Sequence, residues 1–105
     1  MRVILIGQTA FGEKVLETIL EAGEEVAGVF CPPDLPGRQN ELRRLAEARG
    51  IPVFQPARMR DPAVYEQVKA LQPDLNVMAF VTEIVPESIL EAPRLGTIQY
   101  RSSLL

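Results

Sequence analysis

Apolar and polar positions along the chain fall into two patterns that take turns. Arg2 to Ile6 is a continuous apolar-rich run closed by Gly7, as a strand buried on both faces requires. Phe11, Val15, Leu16, Ile19 and Leu20 then recur at helical spacing, with Gly23 at the stop. Glu25 to Phe30 predicts a second strand, and Pro32, Pro33, Pro36 and Gly37 a loop. Leu42, Leu45 and Ala46 mark a second helix that ends near Gly50, and Ile51 to Phe54 reads as a short third strand. Asp61-Pro62 is a helix start, an N-cap followed by proline at the first helical position, and Val64, Val68 and Leu71 carry that helix's stripe until Pro73. Leu75 to Val81 predicts a fourth strand, Pro86 opens a short helix with Ile89 and Leu90, and Gly96 to Tyr100 is a fifth strand.

Five strands alternating with four helices imply an α/β domain: a mostly parallel five-strand sheet between two helical layers. In such sheets ligands sit beyond the carboxyl ends of the strands, near the reversal of strand order. That rule selects four segments: Gly7 to Phe11, Cys31 to Arg38, Phe80 to Pro86, and Arg101 to Ser103.

Composition narrows the function classes. At 105 residues the chain is one domain with a small core. Its formal charge of -3 argues against a general nucleic-acid or anionic-membrane binder. No apolar run is long enough to span a bilayer, and the start, MRVILIGQ, is too short in its apolar part for a secretory signal. A single cysteine, Cys31, leaves no internal disulfide framework, and a cytoplasmic location is expected. With no histidine, the chain holds no His-based metal site, triad or proton shuttle. No metal is expected.

Gly7 to Gly12 reads GQTAFG, where a dinucleotide fingerprint needs G-x-G-x-x-G. Thr9 stands at the second glycine, so no NAD site is expected, and the segment reads as a tight strand-to-helix turn with Phe11 in the core. A receiver domain needs acids after the first strand, where Gln8 and Thr9 stand. In CPPDLPGR, Asp34 and Arg38 are expected to pair with each other, the alternative being that Arg38 meets an anionic substrate tail. Cys31 lacks a nearby base and reads as an inert strand-end thiol. Glu83 is either an acid–base carboxylate or a solvated loop acid. At the end, Gln99 and Arg101 share one strand face, with Ser103 following on the same side if the chain stays extended. Three polar groups on one side of a strand's carboxyl end is a site-like arrangement.

Several stretches together go further. MRVILIGQTAFGEKVL, GEEVAGVFCPPD, GIPVF, DLNVMAFVTEIVPESILEAPRLGTI and SLL resemble the amino-terminal half of a formyltransferase domain, in order and over residues 1–105. GQTAFG and LNVMAF look closest to the hydrolase domain of 10-formyltetrahydrofolate dehydrogenase, with methionyl-tRNA formyltransferase also similar. The resemblance implies a Rossmann-like three-layer fold, here incomplete, and 10-formyltetrahydrofolate as formyl donor. It implies a pterin beside Phe80, Glu83, Ile84 and Val85, held largely through backbone, with Gln8 and Phe11 bordering the site. The family's chemistry follows the fifth strand in a motif close to N-x-H-x-S-L-L-P. There Gln99 takes the asparagine position, Arg101 the histidine position and Ser103 the serine position. Arginine stays protonated and so cannot act as general base, although it can stabilise an oxyanion. The family's catalytic aspartate lies beyond the motifs present, so the chain is expected to be inactive alone.

Three readings follow: the folate-site half of a formyl-transferring or formyl-folate-hydrolysing enzyme, a non-catalytic folate-binding or regulatory module, and a generic nucleotide-binding domain, disfavoured by the missing glycine. The expected partners are a reduced folate and a second copy or complementing chain that covers the fifth strand.

Overall fold

The central strand is the most apolar one. In the structure, a computed structural model that describes residues 1–100, β1 (Arg2–Gly7) lies between β2 (Glu25–Phe30) and β4 (Leu75–Ala79). Its side chains alternate between two cores, Val3 and Leu5 on one face and Ile4 and Ile6 on the other. β3 (Val53–Phe54) flanks β2 and β5 (Thr97–Tyr100) flanks β4, giving the order β3-β2-β1-β4-β5 with every pair parallel. The sheet is therefore wholly parallel where a mostly parallel one is expected.

α1 (Thr9–Glu21) and α2 (Glu41–Ala48) cover one face, burying Leu16, Leu42 and Ala46 against Val3, Leu5, Val29 and Val77. α3 (Pro62–Leu71) and α4 (Glu87–Leu90) cover the other, burying Val64, Val68 and Ile89 against Ile4, Ile6 and Phe30. Asp61 caps α3, its carboxylate accepting from the Ala63 N–H at 2.9 Å, with Pro62 at the first helical position. Gly12 is needed for packing: a Cβ there would lie 2.5 Å from Leu42 Cδ2, so α1 and α2 meet at this residue.

Two predicted strand boundaries shift by two residues. β3 has only two residues, because Ile51 is buried in the α1–α2 core rather than in the ladder. β4 stops at Ala79, not Val81, because Phe80 has φ +56°, left-handed backbone that an aromatic residue rarely adopts. The chain leaves the sheet there. After β3 the path crosses back to the far side of β1, so strand order reverses between β1 and β4, with the Gln8 and Phe80–Pro86 turns at that switch point.

Candidate functional site

A cleft of about 190 Å³ opens beyond the carboxyl ends of β1, β2 and β4. Ile6, Phe30, Met59 and Val81 supply an apolar floor, and Gln8, Thr82 and Glu83 a polar edge. Pockets for drug-sized ligands run to roughly 300–1,000 Å³, so this cleft has room for only part of such a molecule. A wider groove of about 760 Å³ adjoins it along the β2–α2 loop, and Gln8 and Pro32 line both.

Long-range hydrogen bonds hold the cleft's rim. Gln8 Nε2 donates to Thr82 Oγ1 at 2.8 Å, joining the β1–α1 turn to the loop after β4. The Glu83 carboxylate accepts the Met59 N–H at 3.1 Å, joining that loop to the β3–α3 connection. Glu83 is exposed, a solvated loop acid with one backbone partner. Ile84 is 91% exposed, whereas Val85 is 7% exposed and packs in the α3–α4 core, so only its backbone can face a ligand.

Phe11 departs from its expected core position. It is 37% exposed and its ring stacks on Phe80, centroids 4.0 Å apart and planes 18° apart, while Tyr100 meets Phe80 edge-on at 6.4 Å. Helical periodicity counts Phe11 with the core because its first-turn position cannot be told from a buried one by spacing.

The Asp34–Arg38 pair does not form. Asp34 instead accepts from Gln55 Nε2 at 2.6 Å and pairs with Arg43 of α2 at 3.1 Å, which holds its carboxyl below the ordinary value, the Gln55 hydrogen bond leading. Arg43 reaches it because Asn40 caps α2, accepting from the Arg43 N–H and donating to Pro32 O. Arg38 makes no ion pair among the described residues and lines the wider groove. Cys31 is buried at the cleft's edge, its thiol pushed up to about 11, first by burial and then by the Asp34 charge, so it is protonated and inert at neutral pH.

Gln99 is exposed on β5 opposite Met78, on the α3–α4 face, which is also the face of Ile6 and Phe30 that floors the cleft. Arg101 and Ser103 lie outside the described residues. Sequence reasoning did not single out Thr82, Met59 and Tyr100. Thr82 sits inside a selected segment, but its partner Gln8 is 74 residues away, and no local signal joins them. Among the described residues no group of His, Cys, Asp and Glu could hold a metal ion, and no helix is long and apolar enough to cross a membrane.

Residues 1–105 match the family described as Formyl transferase. A methionyl-tRNA formyltransferase of Phenylobacterium zucineum (strain HLK1) is 46% identical over 111 residues, covering 100% of this chain and 36% of that protein. A cytosolic 10-formyltetrahydrofolate dehydrogenase of Xenopus tropicalis is 39% identical over 110 residues, covering 100% of this chain and 12% of that protein. These identities do not favour the dehydrogenase branch over the transferase. The chain spans about a third of the first relative's length and about an eighth of the second's. The crystal structure of a phosphoribosylglycinamide formyltransferase from Bacillus halodurans superimposes with a TM-score of 0.71 at 22% identity, covering 94% of this chain and 55% of that one, which speaks for the fold. With its open cleft at the β1–β4 switch point and relatives aligned along its whole length, this chain belongs to the formyl transferase family.

Proposed function

We propose that this chain forms the formyl-folate-binding part of a one-carbon site, and that it binds the donor without carrying the proton transfer of formyl transfer or hydrolysis. The observation that carries the reading is the cleft at the switch point, apolar-floored and polar-edged, and bordered by the loop after β4. A pterin head is flat and rimmed with amino and carbonyl groups. Ile6, Phe30 and Val81 offer it apolar contact, and Gln8, Thr82 and Glu83 offer donors and acceptors at its edge. NAD is not part of the reading, since Thr9 stands where pyrophosphate needs glycine.

Formyl transfer needs a nucleophile to reach the formyl carbon and lose a proton while an oxyanion develops. Arg101 can stabilise that oxyanion as a fixed cation, but it cannot take the proton. Proton transfer by a positioned group contributes about 10²–10⁴-fold. The 105-residue chain assayed alone should therefore neither transfer nor hydrolyse the formyl group of 10-formyltetrahydrofolate above background. Turnover by the wild-type chain sinks the non-catalytic reading.

The reading extends to location and assembly. A cytoplasmic location fits the lone protonated thiol. A second copy of the chain is the proposed partner of β5. No described strand pairs with its outer edge, Ile98 and Tyr100 are exposed, and the strand TIQY carries neither the charge nor the proline that commonly protects an edge. Light scattering over a dilution series should show a concentration-dependent dimer; a monodisperse monomer at low micromolar concentration removes the partner.

A further inference from the structure

Phe80 combines an unfavourable backbone with an unusual degree of support. Its φ of +56° is a conformation in which a Cβ crowds the backbone, and such residues persist only when their surroundings over-determine them. The surroundings come from two elements. Phe11 of α1 stacks on its ring at 4.0 Å, and Tyr100 of β5 meets it edge-on at 6.4 Å. Its N–H points to Tyr100 O at 3.5 Å, a long hydrogen bond, so the rings hold the residue more than the ladder does. The kink ends β4 and turns the next three residues, Val81, Thr82 and Glu83, into the lining of the cleft. The aromatic row itself is absent from that lining.

We propose that Phe11 is a positioning residue. By stacking on Phe80 it locks the left-handed kink, and so presents the Val81–Glu83 backbone and the Thr82 hydroxyl to the donor without touching it. This rests on the folate-binding reading above for what the loop receives, but the lock itself is a property of the free protein.

Two measurements separate the lock from the ligand. In the ligand-free chain, exchange of the two amides bonded to or from this turn, Phe80 N–H on Tyr100 O and Met59 N–H on the Glu83 carboxylate, should speed up by about three- to tenfold in Phe11→Ala, the equilibrium value of one aromatic pair, with Leu5 and Val29 unchanged. Phe11→Tyr, which keeps a stacked ring, should restore the wild-type rates. Unchanged exchange of these two amides in Phe11→Ala overturns the proposal. Phe80→Gly removes the ring but adopts a positive φ freely. It should keep or raise the melting temperature while weakening calorimetric binding of 10-formyltetrahydrofolate by the same factor or more. Wild-type affinity in Phe80→Gly also overturns the proposal. Should the wild-type chain give no folate heat at all, the folate reading fails, and the exchange experiment still decides whether the lock exists.

Discussion

The two ends of the sheet are built from opposite materials. At the amino end, charge is neutralised. Arg2 donates its guanidinium to Leu71 O and Gln72 O at the end of α3, pairs with Glu25, and gives its own N–H to Asp74 at 2.7 Å. Asp74 also pairs with Arg94, and the Met1 amine with Glu24. At the carboxyl end, the ion pairs among the described residues lie on the β2–α2 side, where Asp34 meets Arg43 and Glu41 meets Arg44. Among the described residues, the switch point itself carries one neutral side-chain hydrogen bond, one carboxylate bound to backbone, and an aromatic row whose ends, Phe11 and Tyr100, are exposed. Satisfied carbonyls and paired charges fasten one end, while the other keeps polar groups and rings accessible. Stability and ligand binding should therefore be separable by mutation.

The largest test of that separation is at the amino end. Arg2→Ala leaves the α3 carbonyls without their charged donor, and half-exposed geometry puts the loss at about 1–2 kcal/mol. In a domain this size each kcal/mol lowers the melting temperature by roughly 4–8 °C, and thermal unfolding should show that drop with folate affinity kept. Removing the rim bond at the other end should do the reverse. Thr82→Val loses an exposed hydrogen bond, so stability should stay within about 0.5 kcal/mol while donor affinity falls. A joint fall in both properties for either variant would erase the distinction between the ends.

The strand–helix alternation was legible in the sequence because it depends on local periodicity. So were the Asp61-Pro62 helix start and the β2 bounds at Glu25 and Phe30. What escaped depends on distant partners. The apolar run Leu75 to Val81 gives no sign that Phe80 turns left-handed, since the rings that hold it come from α1 and β5. Asp34 has Arg38 as its nearest cation in sequence, yet the Asn40 cap brings Arg43 to it instead. Topology alone selected the segments that line the cleft, but the Gln8–Thr82 contact between two of them needed the fold.

Smaller effects come from titration. The Cys31 thiol contributes stability below its ordinary value of 9.0, lost as pH rises through about 11, so the folded chain should resist alkylation at pH 8 and the unfolded chain should not. Asp74 is held below its ordinary 3.8 by the Arg2 N–H first and Arg94 next. The stability it adds is present above 3.8 and is lost as pH falls through its lowered value, and Asp74→Asn should flatten that acid limb in a pH series of thermal melts.

The most direct test of the central claim is a pair of calorimetric titrations of the 105-residue chain, one with 10-formyltetrahydrofolate and one with NAD. The account predicts heat with the folate, reduced in Thr82→Val and kept in Arg2→Ala, and none with NAD. Micromolar NAD binding with no folate signal would contradict it.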